Sequence, residues 1–155
     1  MKSLVVYDST FGNTEKIAQS IAAGLKPLGA VKITKASASA LADVEGTGLL
    51  IVGSPILGGR PSSSMQAFLS GLPAGSLDKV KIAAFDTRMT MPIAKLFGSA
   101  AVRMEATLKA KGGSSVATPE GFIVMGRSGP LKTGEIERAA EWARSLAEQQ
   151  KTDRH

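Results

Sequence analysis

Two short runs of apolar residues, each followed by a polar loop that contains glycine, limit the folds open to this chain. The first run is Leu4-Val5-Val6-Tyr7, and the second is Leu49-Leu50-Ile51-Val52, which has glycine on both sides. An uninterrupted apolar run of strand length indicates a strand that is covered on both faces, as strands of parallel sheets are. We therefore expect a parallel sheet that lies between two layers of helices.

The rest of the chain alternates between segments typical of strands and segments with the spacing of amphipathic helices. Further strands are predicted at residues 31–34 and 80–85, and a last strand at 115–118 and 122–125 is interrupted by Pro119-Glu120-Gly121. Helices are predicted after Thr14, at 36–44, from Pro61, from Pro92 and after Gly134. Five strands alternating with five helical segments predict an α/β fold, a doubly wound parallel sheet of order 2-1-3-4-5 in three layers.

Apolar spacing within the predicted helices assigns the side of each helix that faces the sheet. The inward residues are expected to be Ile17, Ile21, Leu25 and Leu28 in the first helix, Leu41 and Val44 in the second, Met65, Phe68, Leu69 and Leu72 in the third, Ile93, Leu96, Phe97, Ala100, Met104 and Leu108 in the fourth, and Ile136, Ala139, Ala140, Ala143 and Leu146 in the last. Trp142, the one tryptophan, is expected to be a packing residue. The length of 155 residues predicts a single domain at 1–150, with a tail at 151–155.

The composition excludes several kinds of catalytic site. The chain has no cysteine, and its one histidine, His155, is the last residue. Disulfides, thiolate chemistry, cysteine-bound metal and histidine-based triads are thereby ruled out. We therefore expect no catalytic side chains and no metal ligands, and we expect a cofactor to supply any chemistry.

The chain is basic, with 19 lysines and arginines against 13 acidic residues, a net charge of +6 and a pI near 9.8. These basic residues are scattered, without the basic runs and interleaved aromatic residues of a nucleic-acid surface, so no nucleic-acid partner is expected. An acidic protein partner is compatible with the charge. The sequence has no signal-peptide pattern and no apolar run of membrane-spanning length, which predicts a cytoplasmic protein without membrane association.

The loop after the first strand, Ser9-Thr10-Phe11-Gly12-Asn13-Thr14, has hydroxyl groups, an amide and a glycine at a strand-to-helix junction. Unpaired N–H groups at a helix start attract phosphate, and glycine lets the backbone approach a ligand. The same residue types are also ordinary helix caps, so this loop by itself leaves both interpretations open. Irregular loops after the third and fourth strands are expected at the same sheet edge, which favours a phosphate site.

The loop resembles the phosphate loop of flavodoxins, a Ser/Thr-x-Thr-Gly-x-Thr-like pattern after the first strand, and the order of elements is similar along the whole chain. A P-loop would need a lysine that is missing, a dinucleotide fingerprint would need more glycines, and a receiver domain would need an aspartate where Gly53-Ser54 stands. The resemblance implies a flavodoxin-like fold that binds FMN. Its phosphate would accept hydrogen bonds from Ser9, Thr10, Asn13 and Thr14 and from the backbone of Phe11 and Gly12.

The same resemblance implies that the isoalloxazine ring lies between residues 54–60 and 86–91. The ring-contacting residues would be Ser54, Pro55, Ile56, Leu57, Gly58, Gly59, Asp86, Thr87 and Arg88. Gly58 or Gly59 is the candidate for a peptide unit that flips toward flavin N5, because glycine tolerates both backbone conformations.

Two features depart from the flavodoxin pattern. Neither ring loop carries an aromatic residue, and Ile56, Leu57, Met89 and Met91 are the available apolar contacts, so weaker FMN binding is expected. Arg60 and Arg88 stand where flavodoxins commonly have acidic residues. Either arginine would stabilise the anionic reduced flavin and raise its potential, or bind an anionic co-substrate, unless it forms a surface salt bridge such as Arg88 with Asp86.

We thus expect an FMN-binding electron-transfer protein that works with redox partner proteins, acidic ones by charge complementarity. One alternative is an FMN-dependent oxidoreductase acting on NAD(P)H and quinones, because Gly53-Ser54-Pro55 with Gly59, Met65 and Phe68 is similar to the third-strand loop of flavodoxin-like quinone reductases. Another alternative is a flavodoxin-fold interaction module that no longer binds flavin.

Overall fold

The computed structural model describes residues 1–37, 40–90 and 99–153. The strands are β1 (Ser3–Tyr7), β2 (Val31–Lys35), β3 (Leu49–Pro55), β4 (Lys81–Arg88), β5 (Ser114–Ser115) and β6 (Glu120–Ile123). The helices are α1 (Asn13–Leu25), which continues into a short 3-10 turn at Lys26–Leu28, α2 (Ala40–Asp43), α3 (Ser63–Gly71), α4 (Ala100–Ala110) and α5 (Glu135–Asp153).

The described strands form one parallel sheet of order β2-β1-β3-β4-β5, with β6 also paired to β4. β5 pairs with the start of β4, at Lys81 and Ile82, and β6 pairs with its end, from Phe85 to Arg88. Both short strands therefore occupy the fifth position of the sheet. The predicted strand order is confirmed, and the last strand is interrupted as predicted, but the break lies at 116–119, because Glu120 and Gly121 belong to β6.

The sheet is covered on both faces, as its apolar strands predict. On one face, Val5, Ile51 and Phe85 pack with α1 and α5, and on the other, Leu4, Leu50 and Ile82 pack with α3 and α4. β1 and β3 are buried along nearly their whole length. Alternate residues of the same strands thus belong to two separate cores.

Small residues bring the two helices of one face together. A Cβ atom on Gly24 of α1 would lie 2.6 Å from the Ala140 carbonyl oxygen and 2.7 Å from the Ala143 Cβ of α5. The predicted inward stripe of α5 is confirmed at Ala139, Ala143 and Leu146, which are buried. Trp142 packs edge-on against the rings of Phe85 and Phe122, at 6.4 and 6.1 Å between centroids, as expected for a packing residue.

Two residues that were predicted to face inward are exposed. Leu41 is 45% exposed because α2 is a single turn at the rim of the sheet, where Leu41 lies over Gly71 of α3. Ile136, in the first turn of α5, is 44% exposed although its carbonyl oxygen accepts a hydrogen bond from the Ser20 hydroxyl of α1 at 2.6 Å. Both predictions were wrong because apolar spacing indicates a helical face but not how far neighbouring elements cover that face.

Several predictions fall wholly or partly outside the described residues. The predicted start of the fourth helix, with Ile93, Leu96 and Phe97, and the contact residue Met91 lie in the undescribed segment 91–98. α5 continues through Asp153, into the segment that was predicted to be a tail. No helix among the described residues is long and apolar enough to cross a membrane.

Candidate functional site

A cleft of about 540 Å³ lies at the carboxyl ends of β1, β3, β4 and β6. This volume is in the range of small-molecule and cofactor sites. The described residues that line it are Ser9, Thr10, Phe11, Asn13, Thr14, Pro55, Ile56, Leu57, Gly58, Thr87, Arg88, Met89, Thr90, Val124 and Arg127. The cleft therefore combines the three loops that the sequence places at this edge with a fourth segment, after β6.

The first loop ends at the N-terminus of α1. Gly12 is the N-cap residue, with φ +90°, and its N–H donates to the Ser9 Oγ at 3.0 Å. In the described structure no side chain caps α1, whereas Ser62 caps α3 and Ser99 caps α4. The first-turn N–H groups of α1 therefore remain available to a ligand in the cleft.

The side chains that follow Gly12 connect this loop to its neighbours. The hydroxyl oxygens of Thr14 and Thr87 are 2.7 Å apart and buried, so that α1 is joined to the end of β4. The Asn13 amide Nδ2 donates to the Ser128 carbonyl oxygen at 3.2 Å. When Thr87 is the donor of the threonine pair, the hydroxyl hydrogen of Thr14 is free to bind a ligand oxygen.

The second loop, after β3, is a tight turn at its tip. Leu57 and Arg60 exchange two backbone hydrogen bonds, of 2.8 and 3.1 Å, across Gly58 and Gly59, whose φ angles are +60° and +79°. Positive φ at both central residues is what a type I′ turn requires. Glycine at both positions leaves the intervening peptide unit free to reorient, which is the property that a flipping peptide needs.

Ser54 begins this loop but lies behind the cleft wall. Its side chain is buried, and its hydroxyl donates to the Pro55 carbonyl oxygen and accepts from the Ser62 N–H, both at 2.9 Å. Ser54 therefore shapes the loop and holds the start of α3. Like Gly12, Gly59 and Asp86, it is not among the residues that line the cleft.

Asp86 and Arg88 form a buried ion pair rather than a surface salt bridge. Arg88 Nε and Nη2 donate to the two carboxylate oxygens of Asp86 at 2.6 and 2.9 Å, and their side chains are only 9% and 0% exposed. Asp86 also accepts from the Ala101 N–H in the first turn of α4. Burial raises the pKa of Asp86 above its usual range, and the Arg88 guanidinium and the Ala101 N–H oppose that rise.

Arg60 does not reach this cleft, contrary to the hypothesis that it flanks the ring site. It lines a second, smaller cleft of about 240 Å³ with residues of α3 and α4. The turn at Leu57–Arg60 reverses the chain, and after it Arg60 lines this second cleft. Sequence position alone does not reveal such a reversal.

Two residues that were not predicted from the sequence, Val124 and Arg127, line the cleft from the segment after β6. Val124 N–H donates to the Arg88 carbonyl oxygen at 2.8 Å, so that this segment continues beside the end of β4. The segment after β6 then folds back toward Asn13, whose amide binds the Ser128 carbonyl oxygen. Its place at the cleft could have been predicted from the last strand, because the carboxyl end of that strand lies at the same sheet edge as the other three loops.

The cleft has an apolar mouth and a basic wall. Phe11, Leu57 and Met89 are 54%, 50% and 54% exposed although all three are large and apolar. Arg88 and Arg127 are the charged residues of the described wall, which contains no carboxylate. Phe11, which was expected to contribute its backbone, thus also places an aromatic ring on the cleft.

The chain matches known proteins in fold and over most of its length. Flavodoxin 2 of Bacillus cereus in its oxidised form superposes with a TM-score of 0.82 at 24% identity, covering 96% of this chain and 99% of that one. The flavodoxin of Streptococcus pneumoniae TIGR4 gives 0.78 at 21% identity, over 96% and 99%. A WrbA-like flavodoxin protein of Agrobacterium tumefaciens gives 0.75 at 17% identity, over 97% and 98%.

No curated protein sequence matches the chain significantly. The family model described as flavodoxin, however, matches residues 5–142, which include every strand but the first two residues of β1. This match covers the loop at 9–14, both ring-loop segments and the segment after β6. The chain belongs to the flavodoxin family.

Proposed function

We propose that this protein binds FMN in the cleft and transfers electrons between redox partner proteins. The observation that carries the proposal is the uncapped N-terminus of α1, which opens onto a cleft with exposed apolar side chains at its mouth. A phosphate group suits the first feature, and a flat aromatic ring suits the second. Membership of the flavodoxin family supports both assignments.

The phosphate would bind at residues 9–14. Ser9, Thr10 and Asn13 line this end of the cleft with polar side chains, and the backbone of α1 adds N–H groups at the positive end of the helix. Gly12 holds a positive φ that turns the chain into the helix. These donors are neutral, so oriented dipoles alone would leave part of the phosphate charge uncompensated.

The ring would lie between the second loop and the end of β4. Ile56 and Leu57 line one side and Met89 the other, and these side chains would exclude water from the ring faces. Bound there, FMN supplies one- and two-electron transfer. The described wall has no carboxylate, histidine or tyrosine, so the proposal assigns the protein side chains to binding and orientation rather than to proton transfer.

An FMN titration tests the proposal. Addition of FMN to the flavin-free protein is expected to quench flavin fluorescence with 1:1 stoichiometry and to raise the melting temperature. The absence of both effects would overturn the proposal. Turnover of NAD(P)H with a quinone by the loaded protein alone would instead assign it to the oxidoreductases.

A glycine pair provides the matched control. Gly12 and Gly46 both have positive φ, +90° and +79°, and a Cβ on either would meet nothing within 4 Å. Alanine at each position therefore costs backbone strain without a clash, about 1 kcal/mol. Gly12→Ala is expected to weaken FMN binding, whereas Gly46→Ala, in the turn after α2, is expected to leave it unchanged.

A further inference from the structure

The cleft contains one arginine whose charge no described side chain neutralises. Arg88 also lines the cleft, but its guanidinium is paired with both oxygens of Asp86. Arg60 lies in the second cleft. Arg127 is exposed, and among the described residues it has no ion pair or side-chain hydrogen bond. The described cleft therefore has an uncompensated positive charge at Arg127.

The backbone around Arg127 is ordered by hydrogen bonds within the loop at 125–130. Met125 N–H donates to the Pro130 carbonyl oxygen at 2.8 Å, and Gly129 N–H donates to the Gly126 carbonyl oxygen at 3.1 Å. Arg127 follows Gly126 within the second of these turns. Because the turn orders the backbone at Arg127, less backbone entropy is lost when this residue binds a ligand.

This turn lies against the start of α1. Asn13, the first residue of the helix, donates to the Ser128 carbonyl oxygen, one residue beyond Arg127. Gly129 packs so closely on the Asn13 amide that a Cβ there would lie 2.8 Å from Nδ2. Arg127 is thus fastened to the helix-start end of the cleft rather than to the end that Met89 and Leu57 line.

We propose that Arg127 binds the phosphate group of the flavin and makes the site selective for FMN over riboflavin. The inference rests on the proposed function, because it assigns a cation to one part of the same ligand. An arginine fork matches phosphate geometry, and a phosphate dianion beside otherwise neutral donors leaves charge to be compensated. Phe11 puts an apolar side chain in the phosphate loop, and Arg127 supplies a donor from outside that loop.

The test compares the affinities of FMN and riboflavin, which differ by the phosphate group. Arg127→Ala is expected to weaken FMN binding about fivefold, the upper end for a solvent-exposed ion pair, and to leave riboflavin binding unchanged. Arg127→Lys, which keeps the charge without the fork, is expected to lie between Arg127→Ala and the wild type. The FMN affinity of Arg127→Ala is also expected to depend less on salt.

Arg144→Ala is the charge-matched control, because Arg144 is an exposed residue of α5 outside the cleft lining. It is expected to bind both flavins as the wild type does. Equal FMN affinity of wild type and Arg127→Ala would overturn the inference, as would an equal loss for FMN and riboflavin, which would place Arg127 at the ring. A wild type that binds neither flavin would overturn the proposed function itself, and the inference with it.

Discussion

At the scale of single residues, Arg88 illustrates how burial decides the role of a charge. It lines the cleft, yet its guanidinium is bound to Asp86 and packs directly against Gly121, where an added Cβ would displace it. Asp86 in turn holds the first turn of α4 through the Ala101 N–H. The pair therefore connects the cleft wall to the start of α4.

Removal of one partner of the Asp86–Arg88 pair is expected to destabilise the protein. Asp86→Asn should lower the free energy of unfolding by about 3 kcal/mol, because it leaves the buried Arg88 charge without its partner. Urea denaturation at neutral pH measures the loss. The double variant Asp86→Asn/Arg88→Met removes both charges and should recover part of it. Wild-type stability of Asp86→Asn would contradict the structural role given to the pair.

Phe11 is the aromatic side chain of the described cleft, in place of aromatic residues in the ring loops. Phe11→Ala is expected to weaken FMN binding about three- to tenfold, the usual size of an aromatic contact, with little change in stability since the ring is 54% exposed. Fluorescence titration measures the affinity. Met125→Ala is the matched control, because Met125 is 66% exposed but does not line the cleft. Unchanged FMN affinity of Phe11→Ala would show that the Phe11 side chain does not contact FMN.

At the scale of elements, the start of α5 holds β6 in place. Glu135, the first residue of the helix, accepts from the Ile123 N–H at 2.7 Å and from Arg138 Nε and Nη2 at 2.9 and 2.7 Å. Arg138 also donates to Glu120 and lies over the Phe122 ring. β6 carries the segment with Val124 and Arg127, so this network positions one wall of the cleft.

The network makes stability depend on pH. Hydrogen bonds from Arg138 hold the pKa of Glu135 below its usual value of 4.5, so its contribution is present above that pH and is lost as pH falls through the lowered pKa. Glu135→Gln should cost about 1 kcal/mol at neutral pH and less at pH 3. Urea denaturation between pH 3 and 7 measures this convergence. Glu137→Gln, at an exposed neighbouring position, should show no such trend, and parallel curves for Glu135→Gln and wild type would contradict the assignment.

At the scale of the whole molecule, the net charge of +6 sets the expected partners. A basic carrier attracts acidic proteins at long range, and salt screens that attraction over about 10 Å at 0.1 M. Electron transfer from the loaded protein to an acidic haem protein should therefore slow about tenfold between 0.01 and 0.5 M salt. Stopped-flow absorbance measures the rate. With a basic haem protein, the electron-transfer rate should instead rise with salt. A rate with the acidic protein that does not change with salt would argue against electrostatic steering.

Much of the fold was predictable because it depends on local patterns in contiguous residues. The short run from Leu49 to Val52, with glycines on both sides, favours a strand that is covered on both faces, and the alternation with helices then favours a doubly wound sheet. Leu41 and Ile136 were mispredicted because each lies in the only or the first turn of its helix, where the side chain is incompletely covered. How far that cover extends depends on packing against neighbouring elements, which neither segment encodes alone.

The sequence by itself determined the family, the strand order and the loop that opens onto α1, because strand burial and helix-start chemistry are written in contiguous residues. Only the tertiary structure decided which charges reach the cleft. Arg60 lines the second cleft, the Asp86–Arg88 pair that the sequence suggested is buried, and Arg127 reaches the cleft from the segment after β6. The physical reason is that the burial of a charge and its distance from other groups are set by packing between segments far apart in sequence.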